Sequence, residues 1–227
     1  MPHDHHEPED IHNNLSPSGH PYRTDDDTPL SYWQVMEISV RELLAEKGIT
    51  TAREITAQID KMDARSPING AQVVARAWCD PQFYAALMND ASTATRDMGF
   101  DIGALKLIAV ENTDDVHNMI VCTLCSCYPR NLLGLPPDWY KSRAYRSRTV
   151  REPRSVLAEF GVTFPSSTQI RVHDSTADMR YIVIPKRPIG TENMLQNDLV
   201  GLVTRDSMIG TGLAITPSTI IEERQTP

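Results

Sequence analysis

The sequence has no long hydrophobic run, no excess of positive charge and few cysteines. Its longest apolar runs, such as Met119–Cys122 and Tyr181–Pro185, are far shorter than the roughly 20 residues of a membrane-spanning helix. The net charge is −8, whereas a nucleic-acid-binding protein needs a basic surface. The first ten residues, MPHDHHEPED, contain no apolar segment of a secretory signal. We therefore expect a cytoplasmic protein without membrane or nucleic-acid partners.

The four cysteines are unevenly placed along the chain. Cys79 stands alone, whereas Cys122, Cys125 and Cys127 fall within six residues. Cysteines this close form disulfides only with strain. In a reducing compartment such a cluster is more typical of metal or redox chemistry. The cluster is therefore the first candidate for a functional site.

Composition and periodicity divide the chain into four segments. Residues 1–28 hold five of the seven histidines and little apolar periodicity, which predicts a disordered polar tail. Residues 29–100 follow helical spacing and predict a helical arm. Residues 101–217 mix strand and helix signals and predict an α+β domain, and 218–227 a C-terminal tail. The expected fold class is α+β.

Local patterns predict individual elements within these segments. Helices are expected over Leu30–Gly48, from Thr50 or Thr51 to before Ser66-Pro67, and over Gly70–Trp78, Pro81–Met98 and Asn197–Arg205. Strands are expected over Lys106–Val110, Met119–Cys122, Gln169–Val172 and Arg180–Ile184, with a proline-rich loop over 129–137.

The cysteine spacing allows two kinds of metal site. Zinc usually adds a second, distant pair of ligands to a Cys-x-x-Cys pair, and here a third cysteine follows after only two residues. The chain must then wrap tightly, which brings the backbone nitrogens of Ser126 and Cys127 towards the ion. Sulfur and amide donors in one plane favour a trivalent octahedral metal with one open position. The alternative is a non-catalytic zinc module with a fourth ligand from Cys79, His117 or His173. Spacing alone leaves both open.

Several segments together resemble the α subunit of nitrile hydratase, of the cobalt type. They are VCTLCSCYPR at 121–130, LGLPPDWYKSRAYRSRTVREPRSVLAEFG at 133–161, IRVHDSTADMRYIVIPKRP at 170–188, LVTRDSMIG at 202–210, NGAQVVARAWCDP at 69–81 and VENTDDVHNM at 110–119. The resemblance spans about 30 to 213 and implies that 101–217 form a layered α/β metal-binding catalytic domain. Thr123 and Tyr128 resemble the cobalt type, whereas the iron type has Ser and Thr there. The metal implied is cobalt(III), with iron(III) as the second choice.

The resemblance implies a role for each residue of the cluster. Cys122 would be the axial thiolate, and Cys125 and Cys127 would be oxidised to sulfinic and sulfenic acid. Ser126 and Cys127 would bind the metal through their backbone amides. Cys125, Ser126 and Cys127 would then form the catalytic centre, where the metal acts as a Lewis acid and the Cys127 sulfenate as nucleophile or base.

The implied activity is hydration of a nitrile to the amide, and it requires a partner. In the family, arginines of a β subunit contact the oxidised cysteines. We therefore expect an αβ heterodimer or a higher hetero-oligomer, with β as a single or a split chain, and no activity of this chain alone.

Two positions depart from the family pattern. Arg130-Asn131 stands where the family usually has Trp-Pro, and Gly103 lies near a usual glutamine. The γ subunit of thiocyanate hydrolase, a paralogue with the same cobalt site, also has Arg after Cys-Tyr-Pro and a His/Asp-rich leader. Hydrolysis of thiocyanate to carbonyl sulfide and ammonia is therefore the alternative. The stretches ENT, GLPPDWYK and RDSMIGTGL favour nitrile hydratase. With Arg130 and Tyr128 in the substrate pocket, we expect a polar or bulky nitrile.

Residues outside the cluster give further expectations. Between Lys141 and Arg154 six basic side chains accompany one acidic side chain. They predict an interface to the β subunit that includes Arg146, Arg148 and Arg151, the alternative being a solvated loop. Asp174, Asp178 and Arg180 are expected to support the metal loop or to form a structural salt bridge. Trp139 and Tyr140 are expected in the core or an interface, and Cys79 as a buried apolar residue.

Overall fold

The computed structural model of the protein describes residues 30–63 and 65–217, apart from the side chains of residues 61 and 63. The predicted tails, 1–28 and 218–227, lie outside the described residues. The chain forms two compact units with their boundary between residues 55 and 56. Each unit is described by itself.

Runs of helices are separated by two pairs of consecutive strands, as in an α+β protein. The helices are α1 (Tyr32–Glu46), α2 (Ala52–Asp63), α3 (Pro67–Cys79), α4 (Pro81–Asn89), α5 (Ala91–Asp97), α6 (Arg130–Leu133), α7 (Asp138–Lys141), α8 (Arg143–Arg151), α9 (Pro153–Glu159), α10 (Gln196–Val200) and α11 (Arg205–Ile209). The strands are β1 (Lys106–Glu111), β2 (Val116–Val121), β3 (Gln169–Asp174) and β4 (Met179–Ile184). The predicted α+β class is confirmed.

The first two predicted helices are confirmed. Ser31 and Gln34 form a capping box at the start of α1, in which each side chain bonds the other's backbone N–H. Thr51 and Glu54 make the same reciprocal pair at the start of α2. No residue of α1 is buried.

The next two predicted helices have different bounds. α3 begins at Pro67 and not at Gly70, because the Ser66 hydroxyl accepts the Ile68 N–H and proline suits the first helical position. The single helix predicted over 81–98 is wrong. Asp90 leaves the helical conformation and its carboxylate accepts the Thr93 N–H, so that one helix ends there and α5 begins.

The four predicted strands form two parallel pairs. In one pair β1 runs beside β4, with Lys106 opposite Met179 and Glu111 opposite Ile184. In the other β2 runs beside β3, with Val121 opposite Asp174. β2 begins at Val116, three residues before its predicted start, and it ends at Val121. Because parallel strands end at the same edge, the ends of β2 and β3 place the residues that follow them side by side.

Two further predictions are corrected by local capping. The loop expected over 129–137 contains the short helix α6, which follows Pro129. The single helix expected over Asn197–Arg205 is replaced by α10 and α11, because Thr204 adopts an extended conformation and caps α11 in a reciprocal pair with Ser207. Gly210 then ends α11 with φ of 89°. A Cβ at this position would clash with the backbone carbonyl oxygen of Asn118.

The core of the second unit lies around the strands. Its fully buried large side chains come from both sheets and the helices against them: Leu87, Met119, Ile120, Leu132, Leu133, Tyr140, Leu157, Ile182, Ile184, Leu199, Leu202 and Met208. β2 is buried over its last five residues, as expected for a parallel strand covered on both faces. None of the described helices is long and apolar enough to cross a membrane.

Candidate metal centre

The three clustered cysteines lie on one loop, residues 122–128, which we call the cysteine loop. It leaves the sheet directly after β2. Cys122 is fully buried beside the last residue of that strand, whereas Leu124 is 88% exposed and Cys125 is also exposed. The loop returns to the core at Tyr128, which is buried. Its two ends are thus fixed by the fold while its tip is open.

The sulfur atoms of the cysteine loop are spaced for one metal ion. Cys125 Sγ lies 3.2 Å from Cys127 Sγ and 3.5 Å from Cys122 Sγ, and all three lie within 4.8 Å of one another. With metal–sulfur bonds of about 2.3 Å, sulfurs on adjacent octahedral positions are about 3.3 Å apart and those on a tetrahedron about 3.8 Å. The shorter distance matches the octahedron, and the longer lies between the two. The donor set fits a soft, first-row metal ion.

Protonation within the thiol cluster is uneven. Hydrogen bonds from Cys127 and Cys122 lower the pKa of Cys125 to about 7, with smaller contributions from the backbone N–H groups of Ser126 and Cys127. Burial and the neighbouring Cys125 raise the pKa of Cys127 to about 12, although Arg180 opposes this. The cluster therefore concentrates negative charge on Cys125. The backbone N–H groups of Ser126 and Cys127, the two predicted amide ligands, both donate to this sulfur.

Asp174 fixes the start of the cysteine loop. Its carboxylate accepts the Thr123 N–H at 2.9 Å and the Thr123 hydroxyl at 2.5 Å. Asp174 is the last residue of β3 and lies opposite Val121, so the sheet register places this carboxylate beside the loop. Arg146 contacts the same residue, because its Nη1 donates to the Thr123 carbonyl at 3.4 Å. The structural salt bridge considered for Asp174, Asp178 and Arg180 is not formed among the described residues.

Tyr140 fixes the other end of the loop, a contact that sequence reasoning missed. Its hydroxyl donates to the Cys127 carbonyl at 2.8 Å, and its ring packs edge-on against Tyr128 with centroids 5.0 Å apart. Tyr145 adds a bond from its hydroxyl to the Ile120 carbonyl at 2.8 Å. Trp139 packs against Tyr145 and Phe160, which confirms the core position expected for Trp139 and Tyr140. The apolar pattern of 138–145 indicated packing, but nothing in it indicated a bond to a loop 13 residues away.

A cavity of about 300 Å³ opens on the cysteine loop. Cys125, Ser126, Cys127 and Tyr128 form part of its lining. Its other lining residues are Arg65, Leu105, Arg130, Asn131 and Arg180. The structure thus places the predicted pocket residues Arg130 and Tyr128 beside the predicted ligands. Gly103 does not line this cavity, and no sequence pattern had indicated Arg65.

The predicted interface arginines differ in their partners. Arg148 is held by two carboxylates of its own chain, Glu152 at 2.8 Å and Glu159 at 2.5 Å. Arg151 donates to the Ser147 carbonyl. By contrast, the buried Nε atoms of Arg146 and Arg180 have no hydrogen-bond partner among the described residues. Among the four arginines, Arg146 and Arg180 are thus the ones with a buried donor that lacks an acceptor in the described part of the chain.

No His, Asp, Glu or further Cys side chain joins the three sulfurs among the described residues. His117 is buried between the Gly210 carbonyl and Asn112, and burial lowers its pKa. His173 contacts Asn118. Cys79 lies at the end of α3 and is exposed, so its predicted burial is wrong, because the last turn of α3 leaves the core at that residue. The zinc alternative thus lacks its expected ligand.

Comparison with known proteins identifies close relatives. The chain is 49% identical over 188 residues to the low-molecular weight cobalt-containing nitrile hydratase subunit alpha of Rhodococcus rhodochrous, covering 79% of this chain and 88% of that protein. It is 40% identical over 195 residues to the thiocyanate hydrolase subunit gamma of Thiobacillus thioparus, covering 80% and 79%. The structure also resembles a double mutant of the Fe-type nitrile hydratase from Comamonas testosteroni Ni1, with a TM-score of 0.77, 39% identity and coverage of 84% and 94%.

The sequence profile of the family described as "Nitrile hydratase, alpha chain" matches residues 31–212, which include every element from α1 to α11. The match covers both ends of the cysteine loop and the residues that hold it. From this match and the identities above, the chain belongs to the nitrile hydratase alpha-chain family, a family of enzyme subunits.

Proposed function

We propose that this chain is the metal-carrying subunit of a nitrile hydratase. It would convert a nitrile to the amide at a cobalt(III) ion held by Cys122, Cys125, Ser126 and Cys127. One observation carries the proposal: three sulfurs lie within 4.8 Å of one another, the backbone N–H groups of Ser126 and Cys127 bond the Cys125 sulfur, and residues 125–127 line a cavity. The cobalt-containing relative supports this choice of metal. Thr123 and Tyr128 favour cobalt over iron by resemblance.

The proposal includes oxidation of Cys125 to the sulfinic acid and of Cys127 to the sulfenic acid. The orphaned Nε atoms of Arg146 and Arg180 support it, since a buried N–H without an acceptor is costly. Oxygens added to the loop sulfurs would supply acceptors close by. Arg180 already acts on Cys127 electrostatically, and Arg146 bonds the loop at Thr123.

The reaction adds one water across the carbon–nitrogen triple bond, with oxygen going to carbon and hydrogen to nitrogen. A trivalent ion in this loop would supply Lewis acidity towards the nitrile. Cys127, as a sulfenate, would act as nucleophile or as base towards water at the nitrile carbon. Asp174 and Tyr140 would hold the loop ends so that Cys127 keeps its position during the reaction.

The proposal also includes a β partner, as a single or a split chain, in a heterodimer or a larger assembly. The exposed tip of the cysteine loop supports it, because Leu124 has no cover in the described part of this chain. A catalytic site in a low-dielectric environment needs water excluded. A second chain over the tip would complete the site, and a cytoplasmic location would keep the thiols reduced until the metal binds.

Thiocyanate hydrolysis is the second candidate, and Arg130 favours it. This residue brings a positive charge to the cavity, and thiocyanate is an anion. The 40% identical thiocyanate hydrolase subunit supports the same view. The higher identity to a nitrile hydratase subunit, 49%, and a cavity of about 300 Å³, large for a three-atom ion, favour nitrile hydration.

The test is assay of the cobalt-loaded chain purified with its co-expressed partner. We expect amide formation from nitriles and an intact-mass gain of three oxygens, about 48 Da, mapped to Cys125 and Cys127. Cys79, an exposed cysteine outside the loop, serves as the internal control and should remain a plain thiol. Release of carbonyl sulfide and ammonia from thiocyanate without nitrile hydration would establish the second candidate. Three plain thiols around zinc would overturn both.

A further inference from the structure

Three guanidinium groups line the cavity above the cysteine loop, and no carboxylate does. Arg65 precedes α3, Arg130 begins α6 and Arg180 lies on β4, so three separate elements bring positive charge to one place. No described carboxylate forms an ion pair with any of the three. The sulfurs of Cys125 and Cys127 on the same lining can carry two negative charges against these three positive ones, so in a protein with a net charge of −8 the excess points to a ligand that supplies negative charge.

The three arginines do not serve the same purpose. The Arg180 guanidinium donates to the carbonyls of Thr176 and Met179. Its positive charge also acts electrostatically on Cys127 of the cysteine loop, so Arg180 already has a role there. The side chains of Arg65 and Arg130 make no hydrogen bond with the rest of the described chain, although both line the cavity. They hold unused donors in the planar arrangement that matches a carboxylate.

From this arrangement we propose that Arg65 and Arg130 bind an anionic group at the end of the substrate remote from the reacting nitrile. The substrate class is a small aliphatic nitrile that carries a carboxylate. This inference rests on the proposed function, because it assigns the substrate of the same site. The cavity, at about 300 Å³, is at the lower end of small-molecule sites and suits a compact molecule.

The cavity also contains groups that suit the uncharged part of such a molecule. Leu105 adds an apolar side chain to the lining, and Asn131 adds a neutral polar one. The Asn131 side chain is itself held, since its Nδ2 donates to the Asp101 carbonyl at 2.5 Å.

The first experiment compares two isosteric substrates on the cobalt-loaded complex with its partner. 3-Cyanopropanoate carries the carboxylate, and 4-oxopentanenitrile replaces one carboxylate oxygen with a methyl group and is neutral. We expect kcat/KM to be about ten- to a hundredfold higher for the carboxylate, because hydrogen bonds to charged groups discriminate by this amount. Added salt should raise KM for the carboxylate alone. Equal or better use of the neutral isostere would overturn the anion site while leaving nitrile hydration intact.

Variants identify the groups responsible. Arg130→Gln and Arg65→Gln should each lower kcat/KM for 3-cyanopropanoate by about tenfold or more and change that for 4-oxopentanenitrile by less than about threefold. Arg130→Lys should retain part of the preference, as a point charge. Arg171→Gln is the matched control, because it removes an exposed charge on β3 that contacts Gln169 outside the cavity. Equal losses on both substrates would show that the arginines only stabilise the loop.

A binding measurement separates failure of this inference from failure of the proposed function. Butanoate, an unreactive carboxylate, is titrated calorimetrically into the wild-type complex and the Arg130→Gln complex. Binding that is at least about tenfold weaker in the variant supports the anion site even if neither nitrile is hydrated, in which case the proposed function fails alone. Equal binding by the two complexes, or no binding by the wild type, overturns the anion site whatever the reaction proves to be.

Discussion

The ends and the tip of the cysteine loop are built differently. At the ends Cys122 and Tyr128 are buried, and the bonds from Thr123 to Asp174 and from Tyr140 to Cys127 fix the backbone. At the tip Leu124 is 88% exposed and Cys125 is open to the cavity. The fold of this chain thus determines where the sulfurs are, while the described residues leave the tip uncovered. The loop ends fix the ligand geometry, and they do not exclude water from the tip.

Loss of a sulfur at the loop should have the largest effect. Cys127→Ser removes a soft donor from the three-sulfur set, so we expect loss of most bound cobalt and a fall in kcat of more than about a hundredfold. Cobalt is measured by elemental analysis beside the assay. Cys79→Ser, the exposed cysteine of α3, should leave both unchanged. Full cobalt occupancy in Cys127→Ser would show that the ligand set is different.

Asp174→Asn weakens the pair of hydrogen bonds that holds the start of the cysteine loop. The amide accepts one bond from Thr123 in place of two and carries no charge, so we expect activity or cobalt affinity to fall about ten- to a hundredfold. Asp178→Asn is the matched control, because this exposed carboxylate four residues later does not touch the loop. Equal activity and cobalt affinity in the two variants would show that the bonds from Thr123 to Asp174 do not position the cysteine loop.

Leu124→Ser tests the tip. Because this side chain is exposed in the chain itself, cobalt content should not change, whereas affinity for the partner should fall about tenfold with the loss of apolar contact. Dissociation of the complex is followed by light scattering on dilution. Leu213→Ser, another exposed leucine, is the control. A loss of cobalt without weaker association would show that Leu124 supports metal binding, as the loop ends do, and does not contact the partner.

Tyr140→Phe sharpens the comparison at the second end of the loop. It removes one hydrogen bond to the Cys127 carbonyl and keeps the ring, so we expect about a fivefold fall in kcat with KM nearly constant. Tyr145→Phe loses a bond to Ile120 on β2 and should lower the melting temperature with a smaller effect on kcat. The role of Tyr140 in positioning Cys127 is refuted if its variant affects only stability.

The smallest expected effect concerns pH. Burial lowers the pKa of His117 and of His173, so the folded state resists protonation that the unfolded chain accepts. Stability should therefore fall as pH decreases from about 6.5, the ordinary histidine pKa, and should be constant above it. Melting temperatures between pH 5.5 and 7.5 test this, and His117→Gln should reduce the slope. A slope that is unchanged in the variant would assign it to other groups.

Much of this site was predictable because its signals are local. The spacing of Cys122, Cys125 and Cys127 in one short segment predicted a metal cluster, and apolar runs predicted all four strands. Periodicity failed to predict helix ends that depend on a capping side chain. Asp90 and Thr204 each interrupt a continuous helical pattern in this way. Cys79, in a helix after Trp78, was predicted to be a buried apolar residue, yet it is exposed at the end of α3.

The missed features depend on contacts between distant parts of the chain. The Tyr140 bond to Cys127 and the approach of Arg65 to the cavity arise from tertiary packing. No pattern within either segment encodes them. Parallel pairing of β2 with β3, which brings Asp174 to Thr123, likewise joins residues 51 positions apart.

We propose that the cysteine loop holds one octahedral metal ion through three sulfurs and main-chain nitrogen. X-ray absorption at the cobalt edge of the purified complex tests it most directly. The account predicts a six-coordinate ion with three sulfur neighbours at about 2.3 Å and nitrogen or oxygen in the remaining positions. A tetrahedral ion bound by four sulfurs would contradict it.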